Sequence, residues 1–208
     1  SRSTPIKGRG SHSRLPGRFE VTTTEAVDDG WCADAGEEFA PPRLRTQVQE
    51  ETARSILSRN TSPDVGFDVS LNPYRGCEHG CSYCFARPSH AYLNLSPGLD
   101  FETQIFAKTN AAQRLLHTLS RPGYRPEPIA LGINTDAYQP VERGLQITRQ
   151  CLQVLHDCRH PVSLITKNAL IERDIDLLSD MAADNLVSVA FSITTLDPHL
   201  SARLEPRA

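Results

Sequence analysis

An α/β domain built on a parallel sheet is the fold class this sequence predicts, and two patterns carry the expectation. Short apolar runs at residues 129–133, 162–166 and 186–194 read as strands buried on both faces. Segments with helical spacing separate them, as in consecutive βα units. Composition then limits how much of the chain takes part. Only 38% of the 208 residues are hydrophobic, below the usual range of about 45–50% even allowing for glycine, and 15 prolines and 12 glycines accompany them. No apolar run approaches the roughly 18 residues a membrane helix needs, so no membrane association is expected. A net charge of −3 excludes a strongly basic nucleic-acid coat but leaves room for a local basic groove.

The predicted boundary falls between an irregular extension at 1–42 and a core at 43–208. Residues 1–19 hold five basic residues and no acid, whereas 20–38 hold seven acids and no base. Neither stretch has helical or strand periodicity, so a basic arm lying on the acidic stretch or on a polyanion is expected. The Arg/Ser-rich start superficially looks like a transit peptide, but it has too little apolar character for an amphipathic helix.

Beyond the boundary, 68–72 and 101–108 read as strands, and Asn110 as the cap of a helix through residue 119. The 129–133 strand is bounded by Pro128 and Asn134. Val141, Leu145, Thr148, Leu152 and Leu155 follow at offsets of 0, 4, 7, 11 and 14, one face of a continuous helix. Pro161 ends it, 162–166 is the next strand, 171–181 the next helix and 186–194 the last strand. That last strand is apolar at nearly every position, as an internal strand would be. The chain begins with serine and stops soon after a helix start at Asp197-Pro198, so it reads as the front part of a longer protein. The last strand would then present an unpaired edge, and self-association is the expected consequence.

The chemistry concentrates in Cys77-Glu78-His79-Gly80-Cys81-Ser82-Tyr83-Cys84. Three thiols this close can face one point only if the backbone wraps around it, which Gly76 and Gly80 permit. Six cysteines in a chain of this length are too few for a disulfide scaffold and favour a cytoplasmic, metal-binding protein. Thiolates select zinc or iron–sulfur clusters. Structural zinc normally takes four protein ligands, and no second cysteine pair is present. Cys151 and Cys158 lie about 10 Å apart along a helix, too far for a disulfide, and read as small buried hydrophobes. His79 or His90 could supply a fourth zinc ligand. The other option is a four-iron cluster on three cysteines, with one iron left open for a reactant.

The Cys-x3-Cys-x2-Cys spacing, with an aromatic residue before the last cysteine, resembles the radical S-adenosylmethionine (SAM) superfamily. Asn72-Pro73-Tyr74-Arg75-Gly76-Cys77 and Ala86-Arg87-Pro88-Ser89-His90 are similar to the branch of spore photoproduct lyase and "DNA repair photolyase"-like proteins. The stretch Asn134 to Glu142, the stretch Leu164 to Asn168 and Ser192-Ile193-Thr194-Thr195-Leu196-Asp197 fit the same branch. Lys7-Gly8-Arg9-Gly10 and Arg18-Phe19-Glu20 look like the front end of one of its subgroups.

The resemblance implies a partial (β/α)6 TIM-like barrel, here truncated after about four strands, with its site at the strand C-terminal ends. It implies a [4Fe-4S] cluster on Cys77, Cys81 and Cys84 and S-adenosyl-L-methionine on the open iron. Reductive cleavage would yield a 5′-deoxyadenosyl radical that abstracts hydrogen from a substrate. Tyr83 would lie beside the adenine, Thr135 would bond the methionine moiety, Lys167 would pair with its carboxylate, and Ser192 would suit the ribose or amino group. An electron donor such as a flavodoxin or ferredoxin is the implied partner; nucleic acid enters only by kinship. Two departures stand against spore-lesion repair: Ile133 occupies the place of that enzyme's donor cysteine, and Phe85 follows the third cysteine where a tyrosine could pass a hydrogen atom. The competing readings are a binding module in which zinc stabilises the cysteine loop and an iron–sulfur electron carrier without a SAM site.

Overall fold

Four strands running parallel, in sequence order across one sheet, frame the molecule. The structure, a computed structural model, describes residues 6–13, 15 and 44–208. It is a mixed α/β fold with two sheets. The elements are β1 (Gln47–Glu51), β2 (Leu57–Arg59), β3 (Val69–Leu71), β4 (Tyr74–Arg75), a 3-10 turn (Arg87–Leu93), α1 (Asp100–Thr103), β5 (Gln104–Lys108) and α2 (Ala111–Leu119). There follow β6 (Ile129–Leu131), α3 (Glu142–Leu145), α4 (Ile147–Asp157), β7 (Val162–Thr166), a 3-10 turn (Ala169–Asp174), α5 (Ile175–Ala183), β8 (Val187–Phe191) and α6 (Pro198–Leu204).

The larger sheet has the order β2-β3-β6-β7-β8, with β2 antiparallel and the other four parallel. Val69, Ile129, Val162 and Val187 stand side by side in register, a β-branched row that packs well on a pleated surface. The helices following the strands cover the sheet. Leu71, Ile129, Leu131 and Leu164 pack with Leu115, Leu152, Leu155 and Met181 in one buried cluster. Each such side chain contributes about 1.5–3 kcal/mol by leaving water. The smaller sheet, β1-β5-β4, carries the segment leading into the cysteines. Among the described residues, no helix is long and apolar enough to cross a membrane.

Several elements differ from the sequence expectation. The strand expected at 101–108 opens instead as the helical turn α1 and becomes extended only at Gln104. Asn110 does precede α2, but its side chain makes no cap bond; it clasps Ala53 through both backbone groups, at 2.9 and 3.0 Å. The single helix expected from Val141 to Leu155 is broken at Gln146, which sits at φ 53°. The buried Glu142 carboxylate causes the break: it accepts from the Thr148 amide at 3.0 Å and so serves the open N-terminus of α4. The helix expected at 171–181 begins as a 3-10 turn and becomes α-helical at Ile175. The 129–133 and 186–194 strands are shorter than expected, and Cys158 is exposed rather than buried. As expected for the last strand, β8 lies at a sheet edge, with Phe191 57% exposed and Ile193, just past its end, 71%. Strands β1, β2 and β4 were not expected: β2 and β4 are only three and two residues long, and β1, Gln-Val-Gln-Glu-Glu, has a single apolar residue. The acidic stretch 20–38 and Cys32 lie outside the described residues. The basic arm is not wholly peripheral, since Arg9 is buried against the core.

Two buried carboxylates hold the helical layer together. Glu142 accepts from the Tyr74 hydroxyl and from Arg173 at 2.8 Å. Asp174 accepts from Tyr138 at 2.9 Å, Arg149 at 2.8 Å and Arg173 at 2.8 Å. Arg173→Ala would leave Glu142 without its cation, a loss of roughly 3–5 kcal/mol. Thermal denaturation should show a markedly lower Tm, and an unchanged melt would mean the network is not structural. A second expectation concerns pH. Burial pushes the imidazoles of His90 and His160 below the ordinary histidine value. Each takes up a proton more readily once unfolded, so stability should fall as the pH drops below about 6.5. Denaturant midpoints at pH 7.5 and 5.5 read this, and a flat or rising midpoint on acidification would contradict it.

Candidate functional site

The cysteine loop leaves β4 and is fixed from several sides before α1 begins. The Cys77 amide donates to the Phe101 carbonyl at 2.9 Å. Gln139 straps the loop, donating to the Gly76 carbonyl at 3.0 Å and accepting from the Glu78 amide at 2.9 Å. Arg87 donates to the Cys81 carbonyl at 2.7 Å, pairs with the fully buried Glu102 at 2.6 Å and reaches the Gly98 carbonyl at 3.0 Å. Gly76 and Gly80 take φ of 77° and 67°, the left-handed turns that the wrap demands. The N-terminal arm closes over this loop. Arg9 donates to the carbonyls of Glu102 and Leu44 at 2.7 and 2.9 Å, and the Gly10 amide donates to Glu102 at 3.1 Å. A Cβ on Gly10 would lie 1.7 Å from the Gly80 carbonyl oxygen, so only glycine fits there.

Cys77, Cys81 and Cys84 line one cavity of about 230 Å3. Its other walls come from strand C-terminal ends: Ile133, Asn134 and Asp136 after β6, Thr166 and Lys167 at the end of β7, and Ser192 just past β8. Three consecutive βα junctions therefore meet the cysteine loop in one place. Tyr83 and Phe85 stand at the exposed rim.

Of the residues singled out by sequence, the structure brings Tyr83, Lys167 and Ser192 to this cavity together with the three cysteines. Lys167 donates to Ser192 at 2.7 Å and pairs with Glu205 at 2.9 Å; its ammonium lies 5.5 Å from the Tyr83 ring centre. Thr135 is not brought there. It is buried, its hydroxyl donates to the Tyr74 carbonyl at 3.1 Å, and its neighbours Asn134 and Asp136 line the wall instead. The loop after β6 turns Thr135 inward onto β4, where it ties two distant segments together rather than facing the cavity. His79 also lines the cavity, whereas His90 is buried elsewhere, donating to the Gln104 carbonyl at 2.9 Å.

Asp136 and Glu205 are the residues that sequence reasoning missed. Asp136 accepts from Thr166 at 2.7 Å and from the Lys167 amide at 2.9 Å, and stands 3.5 Å from His79 Nδ1. It thereby locks two strand ends together. Burial pushes the His79 imidazole below its ordinary value although Asp136 opposes this, so the ring is neutral at pH 7. Glu205, past α6, accepts from Tyr83, Thr194 and Lys167. Burial would raise its carboxyl, but these bonds outweigh that and hold it below the ordinary range. Burial would likewise lower the Lys167 ammonium, yet its bonds to Tyr83 and Glu205 hold it above the ordinary lysine value. The only sequence signal for Asp136 was its place inside a quoted motif; Glu205, in a short terminal segment, had none.

The donor chemistry fits a thiophilic metal group better than a thiol nucleophile. Burial pushes Cys77 well above the ordinary thiol value and Cys81 up to about 11. Such thiols are poor nucleophiles at neutral pH, whereas coordination to a metal removes the proton outright. Among the described residues no three His, Cys, Asp or Glu side chains are gathered tightly enough to hold a single metal ion. All three thiols line the cavity.

The packing of Gly10 supplies a test of the loop's support. Gly10→Ala cannot keep the arm in place, so the arm should lift from the loop. Faster labelling of the cysteines by a thiol reagent is the expected readout; labelling at the wild-type rate would show that the arm does not shield them.

No protein-family model matches the chain, and no solved structure matches it. Uncharacterised proteins of Mycobacterium tuberculosis and Mycobacterium bovis are each 45% identical over 139 residues, 67% of this chain and 41% of the relative. An uncharacterised protein of Methanocaldococcus jannaschii is 28% identical over 147 residues, 71% of this chain and 52% of that protein. The chain thus spans about two fifths of the length of the mycobacterial relatives it matches.

Proposed function

We propose that this chain carries the cofactor-binding portion of a cytoplasmic radical S-adenosylmethionine enzyme, with a [4Fe-4S] cluster on Cys77, Cys81 and Cys84. The observation that carries the reading is the shared cavity, in which those thiols face Lys167, Ser192 and Asp136 from successive strand ends. When bound, the reduced cluster and S-adenosylmethionine would supply a 5′-deoxyadenosyl radical for hydrogen abstraction.

The chain's own residues have separable tasks in this reading. The thiols bind iron, and the bonds from Gln139 and Arg87 hold the loop in its wrapped form before metal arrives. Lys167 offers a charge to a carboxylate, held at the cavity by Ser192 and Glu205. Asp136 keeps the β6 and β7 ends in fixed relation, so that the polar wall is preorganised rather than assembled on binding. Tyr83 offers a flat, half-exposed surface at the rim, suited to a planar base.

Anaerobic reconstitution with iron and sulfide tests the metal assignment. Cys77→Ala, Cys81→Ala and Cys84→Ala should each abolish four-iron cluster assembly, whereas Cys32→Ala, Cys151→Ala and Cys158→Ala should retain it. A full cluster in the Cys81 variant, or a colourless wild-type protein with stoichiometric zinc, would refute the reading. Lys167→Ala should leave iron content unchanged and weaken S-adenosylmethionine binding about tenfold or more, the range for a charge-assisted hydrogen bond. Equal affinity in equilibrium binding would return Lys167 to a purely structural pairing with Glu205.

A further inference from the structure

A second concavity lies on the other side of the cysteine loop. The loop alternates, so that Cys77 and His79 line the cavity described above while Glu78 lines a separate cleft of about 510 Å3. Four basic residues surround Glu78 there: Lys7, Arg9, Arg45 and Arg207. Two of them are structural. Arg9 is buried and bonded to backbone carbonyls, and Arg207 pairs with Glu78 at 2.9 Å while its amide donates to the His79 carbonyl at 3.2 Å. Lys7 and Arg45 are exposed, and among the described residues neither has a side-chain partner. A chain of net charge −3 thus concentrates positive charge on the back of its cysteine loop.

We propose that this cleft is the docking surface for an acidic one-electron carrier protein, an inference that rests on the metal-centre reading above. The charge balance of that reading requires one electron from outside. The carrier would be oxidised by one equivalent and the metal group on the cysteines reduced by one, with no bond or proton transferred at the cleft. The position suits the task, because Glu78, which lines the cleft, follows Cys77 directly, and the remaining wall comes from the N-terminal arm, the segment before β1 and Arg207. The size and chemistry suit it too. Electron-transfer partners meet over small, charged surfaces, and complementary charge raises their encounter rate more than their affinity. Nucleic acid fits less well, since the lining holds no aromatic side chain on which a base could stack, and an acid sits at its centre.

The test uses the reconstituted full chain and reduced flavodoxin as the acidic probe. Lys7→Glu combined with Arg45→Glu changes exposed side chains that hold no part of the fold together. Calorimetric binding of flavodoxin should weaken about tenfold or more at low ionic strength, and lose its steep salt dependence. The rate of reduction by dithionite, a small reductant, should stay at the wild-type value. Unchanged flavodoxin binding would overturn the proposal, as would an equal loss of reduction by dithionite and by flavodoxin. Loss of single-stranded DNA binding with flavodoxin binding intact would assign the cleft to a polyanion instead. A protein that assembles no cluster yet binds flavodoxin normally would overturn the metal-centre reading, and with it the electron-transfer role of the cleft.

Discussion

The cysteine loop depends on one buried carboxylate. Glu102 is fully buried in α1, and burying an unpaired charge costs several kcal/mol, so its two oxygens must be served. Arg87 serves one and the Gly10 amide the other. Arg87 then has donors left for the Cys81 and Gly98 carbonyls, and Gly10 brings Arg9 into the core beside it. Three segments far apart in sequence thus converge on a single side chain, and the loop between them has little freedom. A charge that would be a liability alone becomes the reason the thiols hold one arrangement.

The opposite wall of the cavity follows a parallel logic. Asp136 bonds the end of β7 through Thr166 and Lys167, and stands beside His79 of the cysteine loop. Sheet pairing fixes the strands laterally, but it does not orient the loops beyond their ends. Asp136 does so, and Glu205 repeats the device one strand further on by joining Lys167, Thr194 and Tyr83. The polar face is therefore set before anything binds, which reduces the ordering cost that a ligand must overcome.

How much of this was legible in sequence depended on the range of the forces involved. Strands β6, β7 and β8 could be read because each is a short local run of mostly apolar and β-branched residues, whatever its final burial. The three thiols could be read because their spacing is itself local. The break at Gln146 could not, because the apolar face continues through it and the cause is a carboxylate accepting amides six and seven residues on. Thr135 was placed at the right strand end but on the wrong side of the chain, since a loop has no fixed period from which to read direction. Glu102, Asp136 and Glu205 gain their roles from partners as far as 122 residues distant, the separation of Tyr83 from Glu205, beyond any pattern of spacing. The burial of Arg9 was hidden for the same reason, inside a stretch whose composition reads as solvated.

We propose that the thiol-lined cavity holds a cluster with one iron open to S-adenosylmethionine. Electron paramagnetic resonance of the reduced, reconstituted protein addresses it most directly, recorded with and without S-adenosylmethionine labelled with nitrogen-15 at the amino group. The account predicts a four-iron cluster signal that shifts on addition of the cofactor and acquires hyperfine coupling to the label. A cluster signal unaltered by saturating S-adenosylmethionine, or no cluster signal from a protein that retains all three cysteines, would contradict it.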